Sequence, residues 1–214
     1  MTIKQFVFSP FSENTYVLYD ETKEAIIIDP GCYEQHERDE LEDFISNEGL
    51  KPVRLILTHA HLDHIFGNKF VFDKYGLLPE MHKGELPVLQ SAVIVAAKYG
   101  VPMEASPEPK IFLTEGDKIT FGNSVLDSFF TPGHSPASLS FYCEKDGFVI
   151  AGDTLFNGSI GRTDLPGGDM ETLLTSIRTQ LLTLPDNTIV YSGHGPATSV
   201  KVERVMNPFL MERF

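Results

Sequence analysis

The spacing of apolar and polar positions opens the chain with short β-like runs. Lys4–Phe8, Thr15–Tyr19 and Ala25–Ile28 are rich in β-branched and aromatic residues, and turn formers such as Ser9-Pro10 and Asp20-Glu21 part them. The polar stretch Tyr33–Glu48 sets Leu41, Phe44 and Ile45 on one face and runs into Gly49, which predicts an amphipathic surface helix. Val53–Leu57, ending at Thr58, is expected to be a strand buried on both faces. Helical periods recur at Gly84–Lys98, Met170–Leu182 and Ala197–Met206. Further strands are expected at Ile111–Leu113, Lys118–Phe121, Val125–Phe130, Ser138–Cys143, Phe148–Ala151 and Thr188–Tyr191. Two sets of strands interleaved with helices imply two sheets packed face to face with helices outside. No linker or low-complexity tract divides the sequence, so a single domain over 1–214 is expected.

Composition narrows the partners. Of 214 residues, 30 are acidic and 17 basic, a net charge of −13 that opposes binding to phosphate backbones, so no nucleic acid is expected. The longest apolar run, Ala92 to Ala97, is far shorter than the roughly 20 residues that cross a bilayer, so no membrane partner is expected either. The first residues lack the charged-then-apolar layout of a secretion signal. Cys32 and Cys143 are the only cysteines, which suits a reducing cytoplasm.

The chemistry concentrates in His59-Ala-His61-Leu-Asp63-His64, directly after the strand that ends at Thr58. Imidazole and carboxylate are the donors that borderline divalent metals prefer, and four within six residues converge if the loop folds round an ion. His134, Asp153 and His194 each follow a strand end, and each has a glycine just before it that permits a tight turn. Together they read as one site.

This order of His59, His61, Asp63, His64, His134, Asp153 and His194 resembles the metallo-β-lactamase superfamily over essentially the whole chain. Asp29, in Ile26-Ile-Ile-Asp-Pro-Gly31, matches that family's first motif, an aspartate supporting the metal loops. The resemblance implies a four-layer αββα sandwich. It also implies that His59, His61 and His134 hold a first metal, that Asp63, His64 and His194 hold a second, and that Asp153 bridges them. Two zinc ions are the expected cofactor, with iron or manganese as alternatives. Members of the commonest β-lactamase type carry cysteine where Asp153 stands. The segments Asp153–Asp164 and Gly193–Thr198 look instead like the glyoxalase II-like group in its short form, without a C-terminal helical domain. Departures from full-length glyoxalase II are Arg162 and Asp164, which stand where it has a lysine and a tyrosine, and the Gly195-Pro196 turn, where it has another tyrosine.

The resemblance therefore implies a metal-dependent hydrolase of small thioesters, a hydroxyacylglutathione hydrolase type that uses a hydroxide held by the metals. Asp63 would align the nucleophile, and Arg162 would anchor a substrate carboxylate, its alternative being an ion pair with Asp164 or Asp169. Gly161-Arg162-Thr163-Asp164 also resembles the single-iron persulfide dioxygenases of the same superfamily. A metal-binding domain without turnover is the remaining alternative. His36 reads as a solvated surface residue and Glu34–Glu42 as the wet face of a helix. His82 reads as a bystander or pocket-lining residue, Cys143 as a small buried hydrophobe, and Cys32 as structural or a reactive thiol.

Overall fold

A computed structural model describes residues 1–211; the last three positions of the domain expected over 1–214 lie outside that range. Its contacts divide the described residues into two compact units, 1–113 with 119–125, and 114–118 with the residues from 126 on.

The first unit is built on a six-stranded sheet in sequence order: β1 (Thr2–Phe8), β2 (Glu13–Tyr19), β3 (Glu24–Ile28), β4 (Lys51–Ile56), β5 (Pro79–Met81) and β6 (Ile111–Phe112). The β1, β2 and β3 pairings are antiparallel, whereas β3 to β6 run parallel and are joined by helical crossovers. Those crossovers carry α1 (Gln35–Asn47), α2 (Leu62–Ile65), α3 (Asn68–Tyr75) and α4 (Leu86–Lys98). Leu41 and Ile45, four apart on α1, join Val17, Ile27, Leu55, Val71 and Leu89 in one buried core. Burial at this density, with most members wholly removed from water, is the main force holding the unit together.

The wet-face reading of 34–42 fails at Glu37, which is buried. Its carboxylate accepts hydrogen bonds from the main-chain N–H groups of Ser9, Tyr33 and Glu34, and so caps the start of α1. The expected two-sided burial of β4 holds only at its end. Arg54 interrupts the apolar run and reaches Glu80 on β5 through two hydrogen bonds, leaving Leu55 and Ile56 to the core. The helix expected from Gly84 starts later, because Lys83–Glu85 forms a tight 3-10 turn and Pro87 sits in the first turn of α4, where its missing N–H costs nothing.

The second unit contributes most of a sheet ordered β14-β13-β10-β9-β8-β7. Its strands are β7 (Lys118–Phe121), β8 (Ser124–Phe130), β9 (Leu139–Cys143), β10 (Phe148–Gly152), β13 (Ile189–Ser192) and β14 (Thr198–Ser199). A two-stranded ribbon, β11 (Leu155–Phe156) with β12 (Ser159–Ile160), stands beside it. The helices are α5 (Met170–Ser176), continued by a π-helical turn Ile177–Leu181, and α6 (Val200–Met206). Leu173, Ile177, Leu181 and Val200 pack with Val149, Val190 and Leu155 in this unit's core. The closing helix begins three residues later than its apolar period suggests, because Thr198 pairs with Val190 as an edge strand. Among the described residues no helix is long and apolar enough to cross a membrane.

Candidate metal centre

In the first unit β3 and β4 are parallel, so the turns after them lie at one edge of the sheet, where α/β sheets place their ligands. One turn holds Asp29, the other Thr58 and His59. Asp29 has φ +49°, a left-handed conformation that aspartate tolerates better than most residues. From there its Oδ1 accepts the Thr58 N–H at 2.7 Å and its Oδ2 accepts the Thr58 hydroxyl at 2.6 Å. Oδ2 also lies 3.1 Å from His64 Nδ1. With the Thr58 hydrogen turned to Asp29, its oxygen accepts from His59 Nδ1 at 3.0 Å. Both imidazoles therefore carry their proton on Nδ1 and their lone pair on Nε2. That tautomer, fixed by a partner on the other nitrogen, is the one a metal-ligating histidine uses.

His61 stands at the N-cap of α2, its ring 4.7 Å from that of His59, and the His64 ring is 4.1 Å from that of His59. Asp63 occupies the first turn of α2, with Oδ2 4.0 Å from His64 Nε2. Asp29, His59 and His64 each offer a donor atom within 4.8 Å of the others.

Two carboxylates that sequence reasoning passed over support this loop. Glu85 is fully buried, and its Oε2 accepts the main-chain N–H of Ala60, between the two histidines, at 3.0 Å. Glu13, also fully buried, brings Oε1 within 3.8 Å of His64 Nδ1, and burial pushes its carboxyl well above the usual range against the opposing pull of His64. Gly31 is needed where it stands, since a Cβ there would lie 2.0 Å from the Glu13 carboxylate and 2.7 Å from the Asp63 carbonyl. Nothing in the local sequence marks Glu85, which is 25 positions from its partner. Glu13 lies at the start of a strand, where an acidic residue reads as solvated.

In the second unit β8 and β10 both run antiparallel to β9, and β13 runs parallel to β10, so three strand ends share one sheet edge. His134 follows β8, Asp153 follows β10 and His194 follows β13. His134 Nε2 is 3.3 Å and His194 Nε2 3.6 Å from the same oxygen, Asp153 Oδ2. His134 Nδ1 donates to the Arg162 carbonyl at 2.8 Å, which again leaves the lone pair on Nε2. Gly161 makes that approach possible, because a Cβ would fall 2.0 Å from the Asp153 carbonyl and 3.1 Å from His134 Nδ1. Of the three glycines that precede these donors, Gly133 and Gly152 have positive φ, and Gly193 does not.

The Arg162 guanidinium forms two hydrogen bonds of 2.7 Å to Asp164, the arrangement of the ion-pair alternative, and both side chains are exposed. Asp164 is held low, at about 2, by those hydrogen bonds. His82 Nδ1 accepts the Gly84 N–H and caps the 3-10 turn, and His36 is exposed. Cys143 is buried in β9. Burial pushes the Cys32 thiol up to about 12, so it is no nucleophile at neutral pH.

Each unit thus presents imidazole nitrogens in the ligating tautomer beside carboxylate oxygens, a donor set that fits divalent metal ions. The Metallo-beta-lactamase superfamily profile matches residues 9–194. The chain belongs to that superfamily, and its two mixed sheets with their helices are the metallo-β-lactamase fold. It is 41% identical over 211 residues to a Bacillus subtilis protein described as the probable metallo-hydrolase YqgX, covering 98% of each chain. It is 34% identical to the hydroxyacylglutathione hydrolase GloC of Haemophilus influenzae, again over 98% of each. Among solved structures, the B3 metallo-β-lactamase BLEG-1 superposes with a TM-score of 0.91 at 40% identity, covering 99% of this chain and all of that one. TTHA1623, solved in a di-iron-bound form, superposes with a TM-score of 0.87 at 35% identity, covering 97% and 100%.

Proposed function

We propose that the protein is a metal-dependent thioesterase of the glyoxalase II type. The observation that carries this reading is Asp153, a carboxylate whose Oδ2 faces the Nε2 atoms of both His134 and His194. It stands in a chain similar over nearly its whole length to a hydroxyacylglutathione hydrolase. His59, His61 and His134 would hold one ion, Asp63, His64 and His194 the other, with Asp153 shared between them. A pair of dications held there would supply Lewis acidity and lower the pKa of water toward neutrality. Zinc is the proposed metal, and the di-iron form of TTHA1623 makes iron its competitor.

The chain's own groups supply the rest. Thr58 and Asp29 fix the imidazoles before substrate arrives, so their orientation costs nothing during reaction. Asp63 would accept a hydrogen bond from the attacking water and turn its lone pair toward the thioester carbon. A thiolate of parent pKa about 8.5 leaves without a strong general acid, which suits a site with no spare acid among its motif residues. Arg162 would meet a substrate carboxylate by exchanging Asp164 for it. The protein is expected to act in the cytoplasm on a small thioester.

Metal analysis and anaerobic hydrolysis of S-D-lactoylglutathione test the reading together. One to two equivalents of metal per chain, and turnover under nitrogen that a chelator abolishes, are expected. A β-lactam serves as the competing substrate, because of the likeness to BLEG-1. Oxygen-dependent turnover of glutathione persulfide that tracks iron, without thioester cleavage under any metal, would move the reading to the dioxygenase.

A further inference from the structure

The first unit contains a cavity of about 440 Å³, within the size range of small-molecule sites. Its walls continue from the donor set along the chain. Phe66 is the C-cap of α2, the helix that carries Asp63 and His64, and Tyr33 lies four residues past Asp29 at the start of α1. The two rings stand 4.8 Å apart, and the Tyr33 hydroxyl donates to the Pro102 carbonyl, which ties Tyr33 to the 102–104 part of the lining. Met103 completes the apolar lining.

Three charges line this space: Arg38, Glu34 and Glu104. Arg54, Arg162 and Arg204 are each paired with a carboxylate, and Arg178 is exposed to water. Arg38 differs. Its Nε is buried and, among the described residues, meets no hydrogen-bond partner. A guanidinium is always charged, and leaving one of its donors buried and unmade carries a desolvation cost. In a chain of net charge −13 a carboxylate partner was easy to supply. Arg38 is also the one cation among the residues lining the cavity, so an entering anion meets its charge there.

We propose that this cavity is the subsite for the α-amino-acid head of the thiol carrier, an inference that rests on the thioesterase reading. The head's carboxylate pairs with Arg38. Its ammonium lies toward Glu34 and Glu104, and the uncharged remainder runs along Tyr33, Phe66 and Met103. The two glutamates disfavour a second negative charge, so carriers ending in phosphates are excluded.

Calorimetric titration of the metal-loaded protein with S-methylglutathione, which binds but has no thioester to cleave, tests this directly. Wild type should bind at millimolar concentration or better. Arg38→Gln should weaken binding by about tenfold, the scale of one charge-assisted pair. Arg38→Lys should fall between the two, since it keeps the charge and loses the fork. N-acetylation of the probe, which removes its ammonium, should weaken wild-type binding to a similar degree. Circular dichroism confirms that each variant is folded. No wild-type binding, or affinity within twofold for folded Arg38→Gln, overturns the subsite. Arg38-dependent binding without any thioester hydrolysis removes the activity and keeps the subsite, and hydrolysis with Arg38-independent binding does the reverse.

Discussion

Asp29 and Thr58 hold each other twice, through the Thr58 main-chain N–H at 2.7 Å and its hydroxyl at 2.6 Å. The pairing joins two strand ends and, through the same oxygens, sets the rings of His59 and His64. Outer partners of this kind tune metal affinity by about 10–100-fold. Asp29→Asn keeps a side chain that accepts the left-handed backbone but cannot accept on both atoms. Chelator competition should show metal affinity reduced by at least about tenfold. Affinity within twofold of wild type would mean that the histidines are oriented without Asp29.

Glu85→Ala removes the acceptor for the Ala60 N–H inside the histidine loop. A buried donor left unsatisfied costs about 1–3 kcal/mol, and in a chain of this size that lowers Tm by roughly 2–12 °C. Glu85→Gln, which can still accept, should recover most of the loss. Equal melting of the alanine variant and wild type would show that water replaces the carboxylate.

Asp63→Ala should damage turnover far more than folding. The side chain is only partly buried, at 15% exposure on the first turn of a four-residue helix. If Asp63 has its proposed roles as metal donor and orienter of the nucleophile, its loss should lower kcat by on the order of a hundredfold. The comparison is of thioesterase kcat and Tm for wild type and variant, and activity within a few-fold would make Asp63 a bystander.

Asp20 accepts hydrogen bonds from Thr22, Asn123 and Ser124, tying the β2–β3 turn to the β7–β8 hairpin tip within one unit. Burial raises its pKa, but those hydrogen bonds outweigh burial and hold the carboxyl at about 2, below its usual 3.8. A depressed folded-state pKa stabilises fully above the unfolded value and is lost as pH falls through the folded one. The stability gap between wild type and Asp20→Asn should therefore be constant above about pH 4 and close between pH 4 and 2. Denaturant titrations across that range read it directly, and a gap that persists at pH 2 would assign the stabilisation to packing.

Asp164→Asn distinguishes the two readings of Arg162. If Asp164 competes with substrate for the guanidinium, its removal should lower KM for a carboxylate-bearing thioester by about threefold, with little change in kcat. If the pair is structural, KM should stay the same and Tm should fall instead.

Much of this protein is written locally. His59, His61, Asp63 and His64 are close in sequence, so their clustering needs only a strand that ends and a loop that turns. Most strand positions follow from alternating and continuous apolar runs, because a strand's burial pattern is set by its own side chains. The glycines before His134 and Asp153 announce left-handed turns, which few other residues can adopt.

What lies between distant segments had to be decided by packing. No pattern joins Ala60 to Glu85 or His64 to Glu13, and a buried carboxylate looks like a surface one until its surroundings are known. Arg162 is a local case by contrast: Asp164 is two positions away, the sequence left substrate and ion pair open, and the fold makes the pair. Arg38 stood in what reads as an exposed charged helix face, and folding walled it in with Tyr33, Phe66 and Met103. Side-chain identity determines which chemistry a residue can perform. Whether that capacity is already satisfied within the protein depends on neighbours that only the tertiary structure supplies.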